Sequence, residues 1–147
     1  MNKAKKFDQQ LHDENDAPAK EAVANWIQSR FKVEVEENTK YEVDLILKKN
    51  GAVIGYAEVE VRQWGYRYCP HHTIHVAKRK EKLLNSNLMT LFFAVTDDLS
   101  SAYWCKADTV LRSPLVEVKN KYVSEQEYFY DVPIVEFSYA TLRRNDD

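Results

Sequence analysis

Two alternating segments separated by a turn signal constrain the fold of this chain more than any other feature. Over residues 41–48 and 53–63, apolar and polar side chains alternate, which is the period of a strand with one buried face. Between them lies Lys49-Asn50-Gly51, whose Asn-Gly pair is typical of a hairpin turn. The sequence therefore predicts two antiparallel strands joined by a tight turn, around which the rest of the fold is built.

The remaining segments predict an α/β domain with a mixed β-sheet flanked by helices. The predicted elements are a helix over 17–31, a strand over 32–37, the hairpin, a basic helix over 75–86, strands over 89–96 and 102–111, and strand-like pieces within 115–142. Their order is helix, three strands, helix, strand, followed by C-terminal strands. Residues 1–15 are polar and without period, so we expect a flexible tail there and a single domain over 16–147.

Composition narrows the functional classes. The chain has 147 residues, 44% of them hydrophobic, which suits one domain with one core. The net charge of −2 excludes a strongly basic field, so any contact with nucleic acid requires a local basic patch. Two cysteines are too few for a disulfide framework and predict reduced thiols in the cytoplasm. No segment approaches the roughly 20 apolar residues that span a bilayer, so no membrane partner is expected.

The polar positions of the hairpin are mostly carboxylates. They are Glu42 and Asp44 on the first strand and Glu58, Glu60 and Arg62 on the second. Residues two apart on a strand share a face. A three-residue loop would bring these even-numbered positions of both strands to one face, whereas a two-residue loop would separate them, because one step of register flips every side chain. The sequence leaves both geometries open.

Carboxylates that converge in this way have a defined chemistry. Their mutual repulsion raises their pKa values and costs stability unless a cation lies among them. Mg²⁺, or Mn²⁺ in its place, prefers such oxygen ligands and keeps several waters. An ion held by two carboxylates can bind a phosphate oxygen, activate a water and stabilise a leaving oxygen, which is the chemistry of phosphodiester hydrolysis. Arg62, on the same face, could pair with phosphate.

The hairpin resembles the core motif of the PD-(D/E)XK nuclease superfamily. The matching segments are Tyr41-Glu42-Val43-Asp44-Leu45 and Tyr56-Ala57-Glu58-Val59-Glu60. That family has an Asp on the second core strand and an acidic residue, any residue and Lys on the third, within a fold ordered helix, three strands, helix, strand. The resemblance implies a restriction-endonuclease-like core and a Mg²⁺-dependent nuclease. Asp44 and Glu58 would be metal ligands, and Glu60, in the Lys position, would bind metal or orient water.

The chain departs from the family pattern at several positions. Val43 replaces a Pro, and a second register, Glu60-Val61-Arg62, also lacks Lys. Glu21, on the predicted first helix, is the candidate for the further Glu that the family's helix often provides. Three interpretations stay open: an active nuclease, an inactive nuclease-like module that binds nucleic acid or a partner protein, and a solvated sheet face with alternating charge.

Two further groups bear on partners. The predicted basic helix over 75–86 begins at His75 and carries Arg79, Lys80 and Lys82. We expect these four residues to contact a nucleic-acid backbone, with DNA favoured over RNA. Small size is compatible with a phage or mobile-element protein, and with a homodimer or a protein partner.

Two further groups of residues are additional candidates. Cys69, His71 and His72 form a group that matches no standard zinc spacing, and the aromatic stretch 64–68 could stack on bases or pack on the sheet.

Overall fold

The computed structural model describes residues 9–38, 43–64, 69, 71–118 and 127–142. Its helices are α1 (Gln9–Phe31), α2 (Glu81–Leu84) and α3 (Ala107–Leu111), with short 3₁₀ helices at Lys78–Lys80 and Ile134–Glu136. Its strands are β1 (Glu34–Glu37), β2 (Leu45–Lys49), β3 (Ala52–Arg62), β4 (Thr73–Ala77), β5 (Met89–Thr96), β6 (Ser101–Lys106), β7 (Leu115–Val118), β8 (Glu127–Pro133) and β9 (Ser138–Thr141). Among these described helices, none has the length and apolar character needed to cross a membrane.

The strands form two sheets. The larger has the order β1-β2-β3-β5-β6-β9, and the smaller has the order β4-β8-β7. In the larger sheet β3 and β5 are parallel and the other neighbours are antiparallel. This mixed sheet confirms the predicted α/β class. The connection from β3 to β5 is long, as a parallel pair requires, and it contains β4, a 3₁₀ helix and α2.

Strand β5 separates two apolar clusters, which explains its continuous apolar sequence. Leu91, Phe93 and Val95 pack with the buried stripe of α1 on one side of the large sheet. Phe92 and Ala94 face the other way, into a second cluster shared with β4, α3 and β8. The prediction of a strand over 89–96 that is buried on both faces is therefore confirmed.

Helix α1 begins earlier than the sequence predicted. Asp16 and Pro18 were expected to mark its start, but Pro18 lies inside the helix and residues 9–15 of the expected tail are helical. Those residues contain neither Gly nor Pro and include good helix formers, so the helix continues despite the backbone hydrogen bond that Pro18 cannot donate. Residues 1–8 of the expected tail lie outside the described part of the chain.

Two predicted elements change type part-way along. Within the predicted helix 75–86, residues up to Ala77 belong to β4, which pairs with β8, and α2 covers only Glu81–Leu84. The predicted strand 102–111 ends at Lys106, where α3 begins. In both cases the spacing of the buried residues matches the observed element. Ile74 and Val76 lie two apart, as on one face of a strand, whereas Ala107 and Val110 lie three apart, as on one face of a helix.

The hairpin combines features of both geometries that the sequence left open. Lys49 pairs with Ala52, so the loop has two residues, Asn50 and Gly51, whose φ angles of 52° and 80° are those of a type I′ turn. A register shift follows between Leu47 and Lys48, because their partners on β3 are Gly55 and Val53. The extra residue, Ile54, is a β-bulge. The bulge reverses the effect of the two-residue loop, so beyond it the even-numbered residues of the two strands share a face, as Ile46 and Tyr56 do.

Strand β5 approaches Gly55, next to this bulge, so closely that a side chain does not fit there. A Cβ atom at position 55 would lie 2.6 Å from the carbonyl oxygen of Met89, its partner in the parallel ladder. We expect Gly55→Ala to lower the free energy of unfolding by about 1–3 kcal/mol, because backbone rather than a flexible side chain must shift. Denaturant unfolding measures the change.

Gly51→Ala provides the comparison for that substitution. Position 51 has no atom within 4 Å of a new Cβ but has a φ of 80°, so its cost is conformational and about 1 kcal/mol. A Gly55→Ala variant as stable as the parent protein would contradict the close approach of the two strands.

Candidate carboxylate and lysine site

Two hydrogen bonds link Asp44 to the segment Glu58-Val59 of β3, where the β2–β3 hairpin begins. The backbone N–H of Asp44 donates to Glu58 Oε2 at 3.1 Å, and the backbone N–H of Val59 donates to Asp44 Oδ2 at 2.8 Å. Glu58 is only 1% exposed, whereas the side chain of Asp44 is 23% exposed. The structure thus brings together the two residues expected to be the principal metal ligands.

Lysines from two other elements lie against these carboxylates. Lys80, at the end of the 3₁₀ helix after β4, has its Nζ atom 2.9 Å from Glu58 Oε1 and 3.7 Å from Glu60 Oε2. Lys20 of α1 has its Nζ atom 3.5 Å from Asp44 Oδ1. We refer to Lys20, Asp44, Glu58, Glu60 and Lys80 as the carboxylate–lysine cluster. The cations that such carboxylates require are thus provided in part by the chain itself.

The electrostatics of the cluster follow from its burial. Desolvation raises the pKa of Glu58 to about 7, the negative charge of Asp44 adds to this increase, and Lys80 opposes it. Burial alone would lower the pKa of Lys80, but the attraction and hydrogen bond of Glu58, with the charges of Glu60 and Asp44, raise it overall. Lys80 is therefore charged at neutral pH, where Glu58 is close to its titration midpoint.

Arg62 ties the cluster to strand β4. Its Nη2 atom donates to Glu60 Oε1 at 2.9 Å and to the carbonyl oxygen of His75 at 2.6 Å. Its Nε atom is buried and has no hydrogen-bond partner among the described residues. The guanidinium therefore holds β3 and β4 together, and the expected pairing with phosphate stays a prediction.

The other basic candidates lie around β4 and the following 3₁₀ helix. His75 Nε2 lies 3.0 Å from Asp131 Oδ1, and its ring stacks on Phe129 at a centroid distance of 5.6 Å. Arg79 is 73% exposed, and Lys82 is also exposed. Of the four residues expected to contact nucleic acid, Lys80 alone belongs to the cluster.

The carboxylate oxygens of the cluster are ligands of the kind that Mg²⁺ prefers. Mg²⁺ is commonly held by one or two carboxylates and several waters, which Asp44 and Glu58 can provide. Among the described residues, no group of three or more His, Cys, Asp or Glu side chains is close enough to hold a metal ion. The expected third ligand, Glu60, accepts a hydrogen bond from Arg62 instead.

The remaining candidates contribute little to this site. Glu21 is exposed on α1, and Cys69 Sγ donates to the carbonyl oxygen of His71. Within the aromatic stretch 64–68, Trp64 is buried in the second apolar cluster. Residues 65–68 and Glu42 lie outside the described part of the chain.

Sequence reasoning did not identify Lys20 and assigned Lys80 to a different surface. The signal for Lys20 was its position next to Ala19 and three residues before Val23, at the margin of the buried stripe of α1. Comparison of the chain with protein-family models and with curated proteins finds no match.

The raised pKa of Glu58 predicts a pH dependence of stability. Between pH 4.5 and about 7 the folded state holds a proton on Glu58 that the unfolded state has lost, so stability falls as pH rises through this range and levels off above it. Glu58→Gln removes this titration. The parent loses this stability between pH 5 and 7, and the variant does not. The free energy of unfolding of Glu58→Gln minus that of the parent should therefore increase by about 2–3 kcal/mol over this range. Denaturant titrations at several pH values measure it, and parallel profiles for the two proteins would contradict it.

Proposed function

We propose that the protein is a metal-dependent nuclease that hydrolyses phosphodiester bonds in DNA or RNA. The observation that carries the proposal is the hydrogen bonding of Asp44 to Glu58 and Val59, together with the near-complete burial of Glu58. A solvated sheet face does not account for this arrangement, because a buried carboxylate costs stability that surface charges do not. Such a cost is typical of a functional site.

The topology of the large sheet supports the same proposal. Helix α1, the antiparallel strands β1, β2 and β3, a crossover containing α2, and the parallel strand β5 follow the order that the PD-(D/E)XK resemblance implies. We accordingly propose a restriction-endonuclease-like core. Strand β4, inserted in the crossover, is a departure from that order.

Asp44 and Glu58 would hold the Mg²⁺ or Mn²⁺ ion of this nuclease. When bound, such an ion supplies a more acidic water and a positive charge for a phosphate oxygen. Glu60 is available to orient the attacking water. Lys80 supplies the ammonium group that the strand motif lacks, and with its Nζ atom 3.7 Å from Glu60 it can stabilise negative charge on a reacting phosphate.

The nucleic acid would approach along β4 and the 3₁₀ helix that follows it. Basic residues on this surface are available to phosphates: the exposed Arg79 and Lys82 and the partly exposed His75. Because the net charge of the chain is −2, this local patch, rather than a general field, would determine how the substrate is oriented. We favour DNA over RNA as the substrate.

A second candidate is an inactive nuclease-like module that binds nucleic acid or a partner protein. One observation favours it: Lys80 already neutralises Glu58, and the four carboxylate oxygens of Asp44 and Glu58 all have a partner within the protein. A cluster satisfied in this way is stable without a metal ion. This module would bind its partner equally well in the presence of a chelator.

Cleavage assays distinguish the two candidates. The purified protein is incubated with Mg²⁺ or Mn²⁺ and with linear duplex, single-stranded and branched DNA and with RNA, and matched samples contain EDTA. A nuclease produces metal-dependent cleavage of at least one substrate. Intact substrates throughout, together with EDTA-resistant binding of nucleic acid, would favour the inactive module instead.

A further inference from the structure

Lys80 contacts the Glu58 carboxylate oxygen that does not accept the backbone N–H of Asp44. Its Nζ atom is 2.9 Å from Glu58 Oε1 and is also near Glu60 Oε2, at 3.7 Å. The other Glu58 oxygen, Oε2, already accepts the backbone N–H of Asp44. We propose that the Lys80 ammonium is a resident counter-ion that a divalent metal must displace from Glu58, so that a contact within the chain restricts metal loading. This inference rests on the proposed metal-binding role of the cluster.

Competition follows from the charges and burial of the groups. A divalent ion bound to Glu58 Oε1 and the Lys80 ammonium would be two cations only a few ångströms apart. Their repulsion is strong where solvent is scarce, and here Glu58 is 1% exposed and the Lys80 side chain 23% exposed. The carboxylate therefore binds one of the two cations closely at a time.

Displacement is feasible because Lys80 is partly exposed and has a second carboxylate nearby. Its long side chain is flexible, it is partly exposed, and it extends from the last residue of a 3₁₀ helix. Glu60 Oε2, 3.7 Å away, is an alternative partner. When a metal enters, Lys80 would move from Glu58 towards Glu60, where it remains near the reacting phosphate.

Mn²⁺ titration by calorimetry tests the competition directly. We expect Lys80→Gln to bind Mn²⁺ about tenfold more tightly than the parent, because the competing positive charge is gone. Lys80→Arg keeps the charge and should bind no more tightly than the parent. Lys78→Gln is the matched control, because Lys78 is on the same 3₁₀ helix but pairs with Glu81 outside the cluster. Its affinity should equal that of the parent.

The same variants separate this inference from the proposed nuclease. If Lys80→Gln binds Mn²⁺ no more tightly than the parent, the competition is refuted. The nuclease proposal survives that result, provided that parental binding is lost in Asp44→Asn. If neither the parent nor Lys80→Gln binds Mn²⁺, both proposals fail. Tighter Mn²⁺ binding combined with slower cleavage by Lys80→Gln would support both, since a purely structural lysine would not change the two measurements in opposite directions.

A measurement on the parent protein follows the Lys80 ammonium itself and uses a variant only to assign its signal. The ¹⁵N-labelled ammonium of Lys80, assigned by its absence in Lys80→Arg, should exchange its protons slowly while it donates to Glu58. Saturating Mg²⁺ should accelerate that exchange. Unchanged exchange at saturating Mg²⁺ would overturn the displacement.

Discussion

Asp44→Asn should reduce metal-dependent cleavage by about 10³-fold or more, the scale expected when an essential electrostatic contact in an active site is lost. The substitution removes one of the two negative charges that would hold the metal ion. It retains an oxygen that can accept the backbone N–H of Val59, so the link across the hairpin persists. Glu58→Gln should have a similar effect on cleavage for the same reason. Initial rates with saturating substrate and Mn²⁺ measure both.

The control for these variants is Asp97→Asn. Asp97 is an exposed carboxylate in the turn after β5 and lies outside the cluster, so its loss should leave the cleavage rate unchanged. Denaturant unfolding establishes whether each variant is folded at the assay temperature. A folded Asp44→Asn protein that cleaves at the parental rate would remove Asp44 from the mechanism, and with it the main support for a nuclease.

The shared face of Asp44 and Glu58 could be predicted only as one of two alternatives. The Asn50-Gly51 turn is local, and its sequence correctly indicated a hairpin. The bulge at Ile54 determines the register, and it lies beside Gly55, where the Met89 carbonyl oxygen leaves no space for a side chain. Met89 belongs to another strand, and a contact of that kind is not encoded in the hairpin sequence.

The position of Lys80 was unpredictable for a similar reason. The run of charges at 78–82 is typical of a basic helix. The strand character of Ile74 and Val76 becomes decisive only when β8 pairs with β4. That pairing shortens the helix and directs Lys80 back to the hairpin. Strand β5 was predicted correctly because its apolar run carries the information locally.

Lys80→Met should destabilise the protein, and the size of the effect should depend on pH. Above pH 7 Glu58 is ionised in the parent, and removal of Lys80 leaves a buried carboxylate without its closest cation, at a cost of about 3 kcal/mol. At pH 5 Glu58 is protonated in both proteins, so the loss should fall to about 1 kcal/mol, the scale of one hydrogen bond. Without Lys80 the pKa of Glu58 rises further, and the difference therefore grows as pH increases from 7. Urea unfolding at pH 5, 7 and 9 measures it.

A double-mutant cycle with Glu58→Gln tests the origin of this effect. If the cost of Lys80→Met arises from an uncompensated carboxylate, the same substitution in a Glu58→Gln background should cost only about 1 kcal/mol even at pH 9, because no buried charge remains. Equal costs in both backgrounds would mean that Lys80 stabilises the fold through its apolar stem or through Glu60. The coupling free energy at pH 9 therefore measures how strongly the chain's own cation is held at Glu58, which is the interaction that any metal ion entering the cluster has to replace.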